Sequence, residues 1–244
     1  MNTILPTGTT RERVLARYNS IRRRATIEDP AIRRFVFRSF DNRLARWLPA
    51  DRDARILDVA CGEGALLSYL QSRGYRALEG FDISRENVGI CHRLGLPFVA
   101  EGDLTRLPHE PASGEYELIF AMDVIEHIPK DDAASVLEAL RLRLKSGGSL
   151  VIQMPNMGYL LAQFHRYGDL THEFGVNENS VVDLLTAAGF SAANIEVLAN
   201  WEATTIKGQL RDAYVSLIHR LVFLMDGAAR PRIPTKNLLV RARA

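Results

Sequence analysis

The stretch Arg55-Ile-Leu-Asp-Val-Ala-Cys-Gly-Glu-Gly-Ala-Leu-Leu-Ser-Tyr69 constrains this chain more than any other. Ile56, Leu57 and Val59 form a short apolar run bounded by charge, the pattern of a strand buried on both faces. The chain then turns through residues 61–64, and Ala65, Leu66, Leu67, Tyr69 and Leu70 open a helical period. Glycines where a parallel strand meets a helix let the backbone pass close to a ligand, because no Cβ stands in the way. Asp58 puts a carboxylate at the mouth of that turn. A second strand over residues 77–81 ends in Asp82, about 20 residues past the turn, the usual distance for an acid that grips a ribose diol. A dinucleotide site would want a further glycine at position 67, which is Leu.

Strand and helix signals then alternate. Ser84 caps a helix ending near Gly95, residues 97–101 make a third strand, and Gly102-Asp103-Leu104 follows. Residues 115–122 make a fourth strand leading into Asp123-Val-Ile-Glu-His-Ile-Pro129. Asp131-Asp132 start a helix through Leu144, which residues 145–148 break with a glycine C-cap. Residues 149–153 form a fifth strand before Met154-Pro-Asn156. Asn177 or Asn179 caps a helix over 180–188 ended by Gly189, residues 195–198 read as a sixth strand, and 237–241 as the last. This order predicts a doubly wound, mostly parallel α/β sheet with ligands beyond the carboxyl ends of its strands. At 244 residues and 47% hydrophobic content, the chain can bury one full core.

The first 50 residues read as helical and external to the sheet. Thr9 or Thr10 caps a helix over 11–24 with Val14, Leu15 and Tyr18 on one face. Asp29-Pro30 restarts a helix to about Trp47, with Ile32, Phe35, Val36, Phe40, Leu44 and Trp47 at helical spacing.

Over residues 54–156 these pieces resemble the class I S-adenosylmethionine (SAM)-dependent methyltransferases. The resemblance implies a seven-stranded Rossmann-like sheet with an antiparallel last strand, SAM as cofactor and S-adenosylhomocysteine as product. It implies an N-terminal extension over 1–50 that lids the cofactor or shapes the acceptor pocket. A methyltransferase domain then fills 51–244, with a helical insert at 201–229. Asp58 and the Gly62–Gly64 turn would face the methionine end, Asp82 the ribose, and Asp103 the adenine amino group with Leu104 over a ring face. Ala60, Cys61, Ile83, Met122 and Asp123 complete the implied cofactor set. Ala60 stands where the family most often has glycine.

Two clusters carry the expected chemistry: Asp123, Glu126 and His127 after the fourth strand, and Tyr167-Gly-Asp-Leu-Thr-His-Glu-Phe174 after the fifth. An alcohol acceptor holds its proton far above neutral pH and so needs a base or a metal. His172 is the first candidate base, oriented by Asp169 or Glu173, with His127 second; Glu126-His127 also serves to shape the pocket. A second reading stays open. Asp123, Glu126, His127 and His172 resemble the acid and histidine set with which small-RNA terminal 2′-O-methyltransferases hold a divalent ion. Asp stands at 123 where that set has Glu, and the base reading needs no metal.

Near the C-terminus, residues 204–225 form a long amphipathic helix bearing Leu210, Ala213, Tyr214, Leu217, Ile218, Leu221, Val222, Leu224 and Met225. Arg211, His219 and Arg220 interrupt it too often for a membrane span, and Gly227 ends it. It suits sheet cover, a homodimer contact, or an anionic membrane surface. The Pro-Asn pair, the Asp-Leu-Thr-His loop, this helix and the closing strand resemble methyltransferases encoded with bacterial surface-polysaccharide enzymes. That implies a sugar hydroxyl, on a glycan or on a nucleotide- or lipid-linked precursor, as acceptor. A quinone precursor or other small aromatic, an RNA ribose, or a silent SAM-binding partner role are the rivals; no DNA contact is expected. Net charge is +2, with 22 Asp/Glu against 12 Lys/Arg over 51–200 and basic ends, suiting a cationic cofactor and an anionic substrate or surface. Residues 1–10 lack the apolar core of a signal peptide, and Cys61 and Cys91 have no metal-ligand spacing. The expectation is a cytoplasmic enzyme with reduced thiols, working at the inner face of the membrane if the helix binds lipid.

Overall fold

The computed structural model describes residues 13–14, 26–112, 114–226 and 231–244. Seven strands form one sheet in the order β3-β2-β1-β4-β5-β7-β6. They are β1 (Ile56–Val59), β2 (Leu78–Asp82), β3 (Val99–Glu101), β4 (Tyr116–Met122), β5 (Leu144–Pro155), β6 (Ile195–Ala199) and β7 (Asn237–Arg243). β1 to β5 pair in parallel, and β7 runs antiparallel between β5 and β6. This is the Rossmann-like architecture expected of the class I methyltransferases.

Alternation along the strands sorts side chains to two faces. Leu57, Ile119, Leu150 and Val240 point to one core with Val136, Leu137 and Leu140 of α4 (Ala133–Arg143) and Val181 and Leu185 of α6 (Ser180–Ala187). Ile56, Leu118, Phe120, Val151 and Leu239 point to the other, with α2 (Ala65–Ser72) and Cys91 of α3 (Arg85–Arg93). Each fully buried Leu or Ile contributes about 1.5–3 kcal/mol, so the two cores hold the sheet edges that frame the site in place.

The N-terminal helix α1 (Pro30–Leu44) starts as its sequence requires: Asp29 Oδ1 accepts from the Ala31 N–H at 2.7 Å, and Pro30 opens the first turn. It packs on α2, where the Tyr69 hydroxyl donates to Asp41 Oδ1 at 2.7 Å and Phe37 meets the Tyr69 ring edge-on. Phe35, expected on the packing face, is exposed, and Phe37 takes that role. Of the expected helix over 11–24, only helical Arg13 and Val14 are described; the rest, with its threonine caps, lies outside the described residues, as does Gly227.

Two further expectations are corrected. Residues 145–148 do not cap α4; they join β5 through a register shift against Tyr116 and Leu118. Glu117 and the close of the chain hold them: Lys145 pairs with Glu117, and the Gly147 N–H donates to the Ala244 carbonyl. The long helix α7 (Ile206–Asp226) does not cover the sheet with its apolar stripe. Leu210, Tyr214, Leu217, Leu221, Val222, Leu224 and Met225 are exposed, while His219 turns inward, its Nε2 3.1 Å from the Pro231 carbonyl. Among the described residues no helix is long and apolar enough to cross a membrane.

Candidate active site

A pocket of about 750 Å³ opens at the carboxyl edge of β1, β2 and β4, where the strand order reverses. Two residues beside it have left-handed backbones without being glycine: Ala60 (φ +52°), just after β1, and Asp123 (φ +54°), just after β4. Such conformations cost roughly 1–3 kcal/mol and persist where surrounding structure imposes them. Here the Cys61 N–H donates to the Phe81 carbonyl at 3.0 Å and the Asp123 N–H to the Gln153 carbonyl at 2.8 Å.

The two glycines of the turn do different work. A Cβ on Gly62 (φ +56°) would meet nothing within 4 Å, so that backbone is bare towards the pocket. A Cβ on Gly64 (φ +74°) would lie 2.5 Å from Leu96 Cδ1 and 2.9 Å from Cys91 Sγ. Gly64 therefore serves the packing of α2 on the segment around α3 and, unlike the other expected cofactor residues, does not line the pocket. Asp82 ties the turn to β2. Its Oδ2 accepts from the Gly62 N–H at 2.9 Å; its Oδ1 accepts from the Ser84 N–H and Asn87 Nδ2, each at 2.9 Å. A carboxylate offers about four acceptor positions, so Asp82 can hold the turn and still receive one ligand hydroxyl.

Burial pushes the Asp58 carboxyl well above its ordinary range, and neighbouring Asp82 adds to the shift. Burial also raises Asp82, against the hydrogen bonds from Ser84, Asn87 and Gly62. A hydrogen bond with Cys91, then burial, raise the Cys61 thiol, leaving it protonated and inert. Across the pocket, Asp103 Oδ1 caps the turn at Leu104–His109 by accepting from the Thr105 N–H at 2.9 Å, which places Leu104 on the wall.

The loops after β4 and β5 converge, as expected. The Glu173 N–H donates to the Glu126 carbonyl at 2.8 Å, joining them directly. The Arg166 guanidinium, on α5 (Ala162–Tyr167), donates to the carbonyls of His172 and Glu173. Glu126, His127 and His172 each offer a donor atom, all within 4.8 Å of one another. Asp123, the fourth residue of the alternative metal reading, stands outside that set: its Oδ2 accepts from Gln153 Nε2. Gln153 in turn accepts from Arg43 of α1 and from Asn200 after β6. Burial, with help from Asp123 and Asp169, raises the Glu126 carboxyl well above its usual range.

Asp169 is joined to Thr171. Its Oδ1 accepts from the Thr171 N–H at 2.9 Å and from the Thr171 hydroxyl at 2.6 Å, and that hydroxyl lies 2.8 Å from His127 Nδ1. The His127 and His172 rings stand edge to face, 4.7 Å apart. Burial lowers the His172 pKa, with Asp169 opposing. The fully buried Thr171 has no local signature that singles it out; only its place in Asp169-Leu-Thr-His172 hinted at a role. Phe40, Phe164, Gln153, Glu202 and Lys236 also line the pocket, and no sequence spacing linked them to it. Asn156, of the expected Pro-Asn signature, is structural, its Nδ2 donating to the Ile233 and Thr235 carbonyls at 2.9 Å each.

Residues 32–200 match a family model described as a methyltransferase domain. This chain belongs to that family. The methyltransferase aligns with a SAM-dependent methyltransferase from Archaeoglobus fulgidus at a TM-score of 0.66, with 18% identity, over 93% of this chain and 98% of that one. It is 30% identical to a ubiquinone biosynthesis O-methyltransferase of Aeromonas salmonicida over 42% of this chain and 43% of that protein. A trans-aconitate 2-methyltransferase of Rhizobium rhizogenes is 34% identical over 45% of this chain and 41% of the relative. The methyltransferase thus spans less than half the length of these curated relatives.

SAM is the cofactor, and the residues present fit it: a bare glycine turn, two buried acids and an apolar wall at Leu104. When bound, SAM supplies an electrophilic methyl group on a sulfonium. The acids predict a proton linkage. Because Asp58, Asp82 and Glu126 titrate higher folded than unfolded, the empty protein holds extra protons. Its stability should therefore fall as pH rises from about 4 through their raised values. A cationic ligand favours ionised acids, so cofactor affinity should rise over the same window with proton release. Calorimetry in two buffers of different ionisation heat measures this; a pH-independent affinity counts against cofactor contact with these acids.

Proposed function

We propose that this methyltransferase transfers a methyl group from SAM to a hydroxyl oxygen, and that the hydroxyl is an acidic, phenolic one. The observation that carries the reading is the histidine pair, His127 and His172, at the pocket wall beside Asp123. A carboxylate acceptor would need no base, and a base beside the methyl-accepting position argues for an acceptor that must lose a proton. Acidity then discriminates between hydroxyls. Imidazole titrates near about 6.5 and a phenol near about 10, a gap of roughly 5 kcal/mol at 1.36 kcal/mol per unit. A sugar hydroxyl holds its proton more tightly than a phenol, which widens the gap further. The name of the Aeromonas salmonicida relative, from quinone chemistry, points the same way. So does Phe164, an exposed ring in the pocket lining that would meet an apolar tail; Leu161, Tyr167 and Leu170, close to it in the chain, are exposed too.

The sugar reading keeps one supporting observation: Gln153, Glu202 and Lys236 make a polar wall suited to several hydroxyls. The test is transfer of labelled methyl onto catechols with and without a prenyl tail, onto nucleotide sugars and glycans, and onto trans-aconitate. Catechols should be methylated, equally well with a chelator present. Sugars alone as acceptors would select the second reading, and transfer only to trans-aconitate would overturn both.

A further inference from the structure

We infer that Asp169 and Thr171 form a relay that fixes the tautomer of His127, making His127 the base and Thr171 its positioning residue. The inference rests on the hydroxyl-acceptor reading above. Thr171 Oγ1 has one proton and lies 2.6 Å from Asp169 Oδ1 and 2.8 Å from His127 Nδ1. A carboxylate only accepts, so the hydroxyl proton goes to Asp169. A second contact at 2.8 Å must then be received on a threonine lone pair, which requires His127 Nδ1 to carry the hydrogen. Nε2 consequently holds the lone pair. His127 lines the pocket while Thr171 is fully buried behind it, so the Nδ1 edge faces the relay and the opposite edge faces the acceptor.

Asp169 is itself held for this task. Its Oδ1 also accepts the Thr171 N–H at 2.9 Å, so the three polar atoms share one local turn and move as a unit. His172 Nδ1, by contrast, is buried with no hydrogen-bond partner, and the ring meets the backbone at His165 and Arg166 rather than a side-chain hydroxyl. In the transfer, the acceptor hydroxyl passes its proton to His127 Nε2 while its oxygen bonds the methyl carbon. The electron pair of the broken sulfur–carbon bond stays on sulfur, which becomes a neutral thioether. The resulting imidazolium keeps Nδ1–H on Thr171 and releases the extra proton to water.

The decisive measurement is the tautomeric state of His127, from imidazole nitrogen shifts in histidine-labelled protein bound to S-adenosylhomocysteine. The wild type should show His127 as the Nδ1–H form. Thr171→Val, which keeps shape and the backbone bond to Asp169, should lose that preference, and Thr171→Ser should keep it. With catechol and SAM as substrates, Thr171→Val should lower kcat by about 10–10²-fold with little change in KM for SAM, and Thr171→Ser should restore most of it. An Nε2–H tautomer in the wild type, or an unchanged tautomer in Thr171→Val, overturns the relay whatever the activity. Failure to methylate any hydroxyl overturns the acceptor reading instead, and the nitrogen shifts still decide the relay.

Discussion

Replacing His127 by alanine should lower turnover by about 10²–10⁴-fold, the worth of a positioned general base, and leave SAM affinity nearly intact. The change removes the only imidazole among the described residues whose ring nitrogen is held by a side-chain hydroxyl. The glycine turn after β1 and Asp82 at the end of β2, where the cofactor is expected, do not depend on the His127 ring. His172→Ala should cost far less, about 10-fold, through lost packing against His127 rather than lost proton transfer. Single-turnover kinetics at saturating SAM separate the two roles. A larger loss in His172→Ala than in His127→Ala would reverse the assignment. A chelator that abolishes activity, with Mg²⁺ or Mn²⁺ restoring it, would instead make Glu126, His127 and His172 metal ligands.

Asp82→Ala should weaken SAM binding by about 1.5–3 kcal/mol, roughly 10–150-fold, because hydrogen bonds to a charged acceptor are among the stronger ones. The loss has two sources. One is the direct bond expected to the ribose; the other is the bond from the Gly62 N–H that sets the turn against β2. Asp82→Asn keeps an acceptor for Ser84 and Asn87 but puts a donor where Oδ2 accepted from the Gly62 N–H, so the melting temperature of the empty protein reports what the turn bond is worth. If the melting temperature of the empty protein is normal in Asp82→Asn but affinity is still lost, the ribose contact dominates. NAD should not bind either form, because Leu67 stands where a dinucleotide turn needs glycine. Unchanged SAM affinity in Asp82→Ala would remove Asp82 from the cofactor site.

Local pattern carried some parts of this structure completely. The β1–turn–α2 unit is a short-range object: four buried strand residues, a turn and an amphipathic helix follow one another without a gap. The place of Asp82 and Asp103 at the pocket was legible because one ends a parallel strand and the other closely follows one, and that edge is where such sheets bind ligands. The Asp29-Pro30 start of α1 was legible because a cap is set by adjacent residues. Other readings failed where local and tertiary preferences disagreed. Gly147 and Gly148 look like a helix terminator, yet pairing with β4 and the chain's last residue draws them into β5. The stripe on α7 has the periodicity of a packing face, but periodicity cannot say what it packs against, and most of it meets solvent.

The strand–turn–helix order, the parallel sheet, the acids that line the pocket and the two loops that bear histidine could all be read along the chain. These depend on alternation, turn chemistry and spacing along a few neighbouring residues. Only the tertiary structure decided that Asp123 joins Arg43, Gln153 and Asn200, and that Asp169 reaches His127 through Thr171. Those contacts join residues that share no local period. Which donor meets which acceptor is set by how helices and loops seat on the sheet, and a hydrogen bond changes partner over an ångström that no spacing rule specifies.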